Sequence, residues 1–450
     1  MIRNILLSDY SEVTSSSLEE RNVLEMAFKK IQASIDIGEI KINGGSKYNQ
    51  SSSDKLFDYL NGKLYTQGIV GVIKTTVTNI NGEIENVTIT IKSRFDKNHK
   101  KPFFLAKMLQ SANLFINEEI SDSIYDDLFD FLLVGLFKNK FTDAYQHGLF
   151  KKYITIKESS LKPKGNINFS KYIRNIFSGK QEIPFTYSER SIFNSMNKLI
   201  LLSYQVLKRN FPAQVEKLID SSEIKNNLDV LRSELSYFKE DTNQIIKETN
   251  RPISHPYFSV YEELRKLCLS ILRFEGISPF DQESGETDAI LYYIPNLWEE
   301  YLEFNFFQPK ILKDFEVQSQ TELRILNEIN IRPDFVIFNR SIPIAILDAK
   351  FKPKWSNEID LDDYTKCIRD MNAFNAKITG VIYPTNSDVN LPISTYRISQ
   401  YNKRDMFLRV PIVLPEIKEQ NFDDFSKEMN EKVIAISKNL NEQFRLLISD

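Results

Sequence analysis

Ile331-Arg332-Pro333-Asp334 opens the stretch on which the fold of this chain turns, and Ile346-Leu347-Asp348-Ala349-Lys350 closes it. Thirteen residues separate the two aspartates, so the segment reads Pro-Asp, a short apolar hairpin, then Asp-x-Lys. Asp334 to Phe338 is rich in β-branched and aromatic side chains, which predicts a strand. Asn339-Arg340-Ser341 supplies a turn, and Ile342 to Phe351 is expected to return as the second strand. With a period of two, Ile344, Ile346, Asp348 and Lys350 share one face, and Ala345, Leu347, Ala349 and Phe351 share the other. A strand apolar on both faces belongs in the middle of a sheet.

Two charges at the end of such a strand are costly unless something compensates them. A divalent cation would compensate Asp334 and Asp348, and a DNA phosphate would compensate Lys350. Phosphodiester hydrolysis needs those parts. Carboxylate oxygens hold Mg²⁺, the ion polarises the phosphoryl oxygen and activates a water, and a nearby lysine stabilises the added negative charge. The alternative is a buried Asp–Lys ion pair at a strand end, beside an unrelated turn-forming Pro-Asp.

Composition bounds the rest. A chain of 450 residues, 42% hydrophobic, can build two or three domains with their own cores. The longest apolar run, around Phe129 to Phe137, is interrupted by Asp130 and Gly135, so no membrane span is expected. The N-terminus has Asp9 and Glu12 where a signal peptide would be apolar. Cys268 and Cys367 stand far apart and suggest neither disulfide nor zinc site; the expected location is cytoplasmic. A net charge of −3 argues against tight non-specific coating of DNA and for a partner that helps with the grip.

Three regions separate along the chain, giving an expected α+β multidomain architecture. Residues 1–155 form a mixed N-terminal α/β region. It has a polar opening (Ser15-Ser16-Ser17), a helix over Leu18 to Ile35, and an exposed loop from Gly44 to Asp54. Strands over Ile69–Asn79 and Ile84–Ser93 meet at the hairpin signal Asn81-Gly82, and helices cover Phe103–Asn113 and Ser121–Lys140. Residues 156–285 form a helical middle, with long patterns at Ser191–Lys208, Ala213–Tyr237 and Tyr257–Phe274. Residues 286–450 form a C-terminal α/β domain. Its helix Asn296–Phe307 precedes the hairpin; helix Asp362–Ala376, strand Ile378–Tyr383 and terminal helix Asp423–Leu447 follow.

The missing motifs narrow the chemistry. No Walker A loop is present, and Gly44-Gly45-Ser46-Lys47 fails as one because Tyr48 follows the lysine. The chain is therefore expected to bind no nucleotide itself. His99, His147 and His255 lie too far apart for a zinc-hydrolase motif, and there is no Gly-x-Ser-x-Gly elbow.

In that order, these features resemble McrC, the nuclease subunit of the McrBC modification-dependent restriction systems, over roughly residues 65 to 385. Tyr65 to Val72 with Val87 to Lys92 is similar to the family's first β segment. Leu161-Lys162-Pro163-Lys164-Gly165-Asn166-Ile167-Asn168-Phe169 resembles its basic segment ending in Ile-Asp-Phe. Tyr187-Ser188-Glu189 with Asn197-Lys198-Leu199-Ile200 looks like its helix start, and Pro295 to Tyr301 is similar to the Leu-Phe/Trp-Glu helix ahead of the hairpin.

The resemblance implies a PD-(D/E)xK restriction-endonuclease-like domain over 286–450. Asp334, Asp348 and Lys350 would be its catalytic core, with Glu299 as an upstream acidic residue; Glu300 is adjacent, and either glutamate could be a solvated helix charge. The metal, Mg²⁺ with Mn²⁺ as a substitute, would be held by Asp334, Asp348, Glu299 and the Ala349 backbone carbonyl. Many relatives carry Asp-x-Tyr-Gln after the lysine strand. Here Asp362-Asp363-Tyr364-Thr365 has Thr in place of Gln, or else the helix aligns through Asp370-Met371-Asn372-Ala373-Phe374; either way the accessory glutamine is absent. The implied partners are a McrB-like AAA+ GTPase hexamer, contacted by the N-terminal region, and double-stranded modified DNA. Two alternatives stay open: a stand-alone Mg²⁺ nuclease of a defence or mobile element, and a catalytically silent DNA-binding scaffold.

Overall fold

A computed structural model of the chain describes residues 2–14, 18–37, 40, 42–43, 55–78, 82–96, 102–111, 124–220, 223–235, 242–253, 256–274, 287–308, 310–325, 328–352, 358–386, 392–398, 405–416 and 422–449. The chain divides into two compact units. One is made of residues 1–131 and 285–450, the other of residues 132–284.

The N-terminal part runs β1 (Ile2–Ser8), α1 (Leu18–Asp36), β2 (Ile42–Asn43), β3 (Phe57–Leu60), β4 (Lys63–Thr66), β5 (Ile69–Thr78), β6 (Ile84–Lys92), α2 (Phe103–Ser111) and α3 (Ile124–Tyr145). In the second unit follow β7 (Lys152–Ser160), β8 (Asn166–Ile167), α4 (Phe169–Phe177), β9 (Ile183–Ser191), α5 (Ser195–Asn210), α6 (Pro212–Val215), α7 (Ile224–Glu234), α8 (Thr242–Thr249) and α9 (Val260–Phe274). The chain then returns through β10 (Thr287–Tyr293), α10 (Ile294–Asn305), β11 (Glu316–Ser319), β12 (Leu323–Ile325), β13 (Ile329–Ile331), β14 (Phe335–Asn339) and β15 (Ile342–Ala349). It ends with α11 (Leu361–Ala373), β16 (Ile378–Thr385), β17 (Ser394–Arg397), β18 (Met406–Val413) and α12 (Phe422–Ser449).

The expected boundary at 285/286 falls within one residue of a limit between the two units, but the C-terminal residues join the N-terminal ones in a single unit. Strand β10 enters the N-terminal sheet, whose order is β1-β6-β5-β10-β2, pairing antiparallel with β5 from Thr287↔Thr75 to Tyr293↔Ile69. Gly71 makes this possible. Its φ is +150°, and a Cβ there would stand 2.0 Å from the Ile290 carbonyl oxygen. Alternating apolar residues of these strands (Ile69, Ile73, Ile89, Ile91, Leu291) bury against Val23, Leu24, Phe28 and Ile31 of α1. The boundary near 155 also shifts, because residues 132–155 belong to the second unit.

The hairpin lies at the centre of the other large sheet, ordered β11-β14-β15-β16-β18-β17. Arg340 (φ 50°) and Ser341 (φ 66°) turn β14 into β15 with both central residues left-handed, as a two-residue hairpin of type I′ requires. Strand β15 pairs antiparallel with β14 and parallel with β16, and it is buried from Ile344 to Ala349, as its apolar faces demand. One departure from regular pairing occurs: Ile337 opposes Ala345 but Phe338 opposes Pro343, which leaves Ile344 bulged. One face of the hairpin, Val336 and Ile346, packs on Met371 of α11. Near its end, Trp298 of α10, Phe104, Phe95 and Phe351 form an aromatic cluster.

In the second unit, the helix expected over Ala213–Tyr237 is broken into α6, a single π-turn segment Glu216–Asp220, and α7. The helix expected from Ser191 begins at Ser195, since β9 runs on to Ser191 and Asn194 caps α5 by accepting from Asn197 N–H. Among the described residues no helix is long and apolar enough to cross a membrane. The loop Gly44 to Asp54, Ser15-Ser16-Ser17, and Asn81 of the Asn81-Gly82 hairpin lie outside the described residues.

Candidate active site

Three elements of the first unit bring the expected residues together: α10 carries Glu299, the residue just before β14 is Asp334, and the end of β15 carries Asp348, with Lys350 just beyond it. Pro295 in the first turn starts α10, and Leu297, Trp298, Tyr301 and Leu302 bury its inner face. That packing sets Glu299 beside the hairpin. Asp334 is fixed by the Ala349 N–H, which donates to its Oδ2 at 2.7 Å. Gln320 links the two acids: its Nε2 lies 3.0 Å from Glu299 Oε2 and 3.5 Å from Asp334 Oδ1. Glu299 is thus the glutamate that meets Asp334, whereas the charged neighbour of Glu300 is Glu303.

Asp348 is compensated on both oxygens. Lys366 Nζ stands 2.6 Å from Oδ1, and Lys350 Nζ lies 2.7 Å from Oδ2. The second contact is an ion pair without hydrogen-bond geometry, so Oδ2 is buried and accepts no hydrogen bond. Lys350 also lies 3.1 Å from Asp363 Oδ1, and Lys352 holds the other oxygen of Asp363 at 2.8 Å. The ion pair of the structural alternative is therefore present, but it leaves two acids over. Among the described residues neither Glu299 nor Asp334 forms an ion pair, although Asp334 is 8% exposed.

The electrostatics follow from that imbalance. Burial, reinforced by the Asp334 and Asp348 charges, pushes the Glu299 carboxyl well up; burial and Asp348 do the same to Asp334. Burial also pushes Asp348 up, but Lys366 and Lys350 outweigh it and hold this carboxylate below its usual value. Burial lowers Lys350 and Lys366, and the Asp348 charge more than restores both.

The donor set fits a hard divalent cation. It offers carboxylate oxygens from three elements, one of them buried without a hydrogen bond. Among the described residues no group of three or more acids, cysteines or histidines is placed so that all could hold one metal ion together. Mg²⁺ is commonly held by one or two carboxylates with water and substrate phosphate completing its shell, so an open site suits it. Ala349 enters through its N–H, which orients Asp334.

Sequence reading missed Lys366, Asp363 and Gln320. A signal for the first two existed: a spacing of three on α11 puts them on adjacent turns of one face, with Asp360 capping the helix by accepting from Asp363 N–H. Lys366 follows directly on Thr365, the position where the expected glutamine is missing. Nothing local marked Gln320, which reaches the site from a loop with φ 54°.

The second unit has an open cleft of about 1010 Å³ lined in part by Phe150, Tyr153, Arg190, Lys247, Arg251 and Phe258. Glu248, the one carboxylate among the described residues that line it, is tied to Ser195 and Gln244, so the described carboxylate cluster is that of the first unit.

An α+β chain with a carboxylate–lysine cluster at the end of a central sheet strand is the class that fold and site define. Its sequence matches the family described as McrBC 5-methylcytosine restriction system component over residues 64–372, well over half of its length, and the chain belongs to that family. It is also similar in fold to a refined half-complex from the tetradecameric assembly of Thermococcus gammatolerans McrB AAA+ hexamers with bound McrC. The TM-score is 0.50 at 14% identity, covering 96% of this chain and 100% of that one. The cryo-EM structure of the Thermococcus gammatolerans McrBC complex matches at TM-score 0.33 and 13% identity, over 67% of this chain and 86% of that chain. No curated protein matches.

Proposed function

We propose that this chain is the McrC-type nuclease subunit of a McrBC restriction system, a PD-(D/E)xK endodeoxyribonuclease that hydrolyses phosphodiesters in modified DNA with Mg²⁺. One observation carries the reading. Glu299 and Asp334 are acids with no ion pair among the described residues, placed beside an Asp348–Lys350 pair that already compensates itself. A structural ion pair has no use for two further acids at its side; a cation-binding site does.

Glu299, Asp334, Asp348 and the Ala349 carbonyl would hold the cation, Mg²⁺ or Mn²⁺. Bound there, it would polarise the phosphoryl oxygen and lower the pKa of an attacking water. Lys350, steadied by Asp363, presents an ammonium to the negative charge that builds on the phosphoryl oxygens. Asp363 in turn is fixed by Lys352, so the ammonium is held in place before substrate arrives.

The fold likeness to a chain solved with McrB AAA+ hexamers and the family match support an AAA+ partner. That it hydrolyses GTP and docks on residues 1–155 is part of the same proposal. The absent Walker A motif fits a motor on another chain. The test is cleavage of methylated against unmethylated DNA by the full chain. It is run with and without the protein encoded next to it, with GTP or ATP, and with Mg²⁺, Mn²⁺ or chelator. Cleavage needing Mg²⁺, methylation and the GTP-hydrolysing neighbour is expected; cleavage unaffected by chelator overturns the reading.

A further inference from the structure

The two ammonium groups on Asp348 are not held alike. The Lys350 side chain is 16% exposed and has Asp363 as a second partner at 3.1 Å. The Lys366 side chain is 34% exposed and stands on α11 rather than on the sheet. Among the described residues it pairs with Asp348 alone. A long side chain so placed can keep its stem on the protein and carry its head into water or onto a ligand. Asp348, only 4% exposed, has no such freedom. Bare removal of one ammonium from a buried carboxylate is costly, so a positive charge must take its place as the lysine goes.

We propose that Lys366 is a latch on the candidate cation site: it holds Asp348 Oδ1 until a DNA phosphate draws the lysine away, and only then is that oxygen open to a divalent cation. This rests on the nuclease reading above and goes beyond it by ordering the two ligands. The exchange keeps charges paired throughout, since the ammonium passes from a carboxylate to a phosphate while the cation takes the carboxylate. Such a device keeps the hydrolytic centre unassembled away from DNA. It also makes the two affinities reciprocal: whatever factor DNA adds to cation binding, the cation adds to DNA binding.

Isothermal titration calorimetry with Ca²⁺, which takes the same oxygen ligands, reads this directly on the full chain. Ca²⁺ is titrated with and without a short blunt-ended DNA duplex into wild type, Lys366→Gln, Lys432→Gln and Asp348→Asn. Without DNA, Lys366→Gln is expected to bind Ca²⁺ on the order of tenfold more tightly than wild type, a usual size for such a coupling. Adding duplex should bring wild type up towards the variant and move the variant little. Lys432→Gln also removes one positive charge but pairs with Glu428 on α12, so it should keep the wild-type response to DNA. Equal Ca²⁺ affinity of wild type and Lys366→Gln without DNA, or an equal gain on adding duplex, overturns the latch. The nuclease reading survives that result provided Asp348→Asn still abolishes Ca²⁺ binding. Unchanged Ca²⁺ binding by Asp348→Asn overturns both.

Discussion

Gln320 is tied to Asp334 twice: its backbone N–H donates to the Asp334 carbonyl oxygen at 2.9 Å, and its side-chain amide lies 3.5 Å from Asp334 Oδ1 while donating to Glu299 at 3.0 Å. The left-handed backbone at Gln320 aims that amide between two acids, which it orients much as outer-shell groups orient metal ligands. Gln320→Ala keeps the backbone bond and loses the bridge. Cation affinity measured by calorimetry should fall by about 10–100-fold, with the secondary structure unchanged by circular dichroism. An unaltered affinity would show that the amide only fills space.

Asp348→Ala should abolish cleavage, and the structure reverses the stability effect that the sequence suggests. A lone charge at a buried strand end would be neutral or stabilising to remove. Asp348 instead compensates Lys350 and Lys366, so its loss leaves two ammonium groups short of a partner. The cost should be about 3 kcal/mol in urea unfolding. It stays at that lower end because Lys350 keeps Asp363 and Lys366 can reach water. Cleavage retained by this variant would sink the site.

The hairpin was legible because its signals are local. Alternating apolar residues, a three-residue polar turn and two acids at fixed spacing need no knowledge of the rest of the chain, and β14, β15, α10 and α11 fall within three residues of the expected limits. What was not legible is non-local. Thr287↔Thr75 and its neighbours join segments separated by the whole second unit, and only Gly71, read afterwards, marks the close approach. The helical break at Glu216–Asp220 follows a sequence that keeps its apolar period through the π-turn, so periodicity alone ran the helix on. Lys366 looked like an ordinary helix charge because its partner is on another element.

A separate acid sets a pH dependence of stability. Asp96, just ahead of α2, accepts from Phe104 N–H at 3.3 Å and Leu105 N–H at 3.2 Å, and burial pushes its carboxyl from 3.8 up to about 7. The folded chain therefore keeps this proton over a range in which the unfolded chain has released it. Stability from this group is present below pH 3.8 and is lost as pH rises through about 7. Melting temperature should drop as pH rises from about 4 to about 7, and Asp96→Asn should reduce that drop. A variant with the same slope as wild type would assign it elsewhere.

Glu299→Gln separates stability from function at one position. The amide oxygen can still accept from Gln320, while a charge that burial and two neighbouring acids oppose is gone. Without divalent cation the variant should be more stable than wild type at neutral pH, by about 1–2 kcal/mol. Cleavage should fall at the same time, since an oxygen ligand has lost its charge. Unfolding in urea, with chelator present, reads the first effect; a destabilised variant would mean that Glu299 is charged and already compensated.

Lys350 decides between a hydrolytic site and a structural ion pair. In Lys350→Ala, Asp348 keeps Lys366 at 2.6 Å and Asp363 keeps Lys352 at 2.8 Å, so the fold should lose only about 2 kcal/mol. Cation affinity should not fall, because Lys350 competes for Asp348 Oδ2 rather than supplying a ligand. Single-turnover cleavage at saturating cation should nevertheless slow by about 10²–10³-fold, as expected when a group aimed at transition-state charge is removed. That pattern, intact binding with lost turnover, is one a purely structural lysine cannot give. A variant that cleaved at the wild-type rate would return Lys350 to the role of a partner for Asp348 and Asp363 and leave the acids without their chemistry.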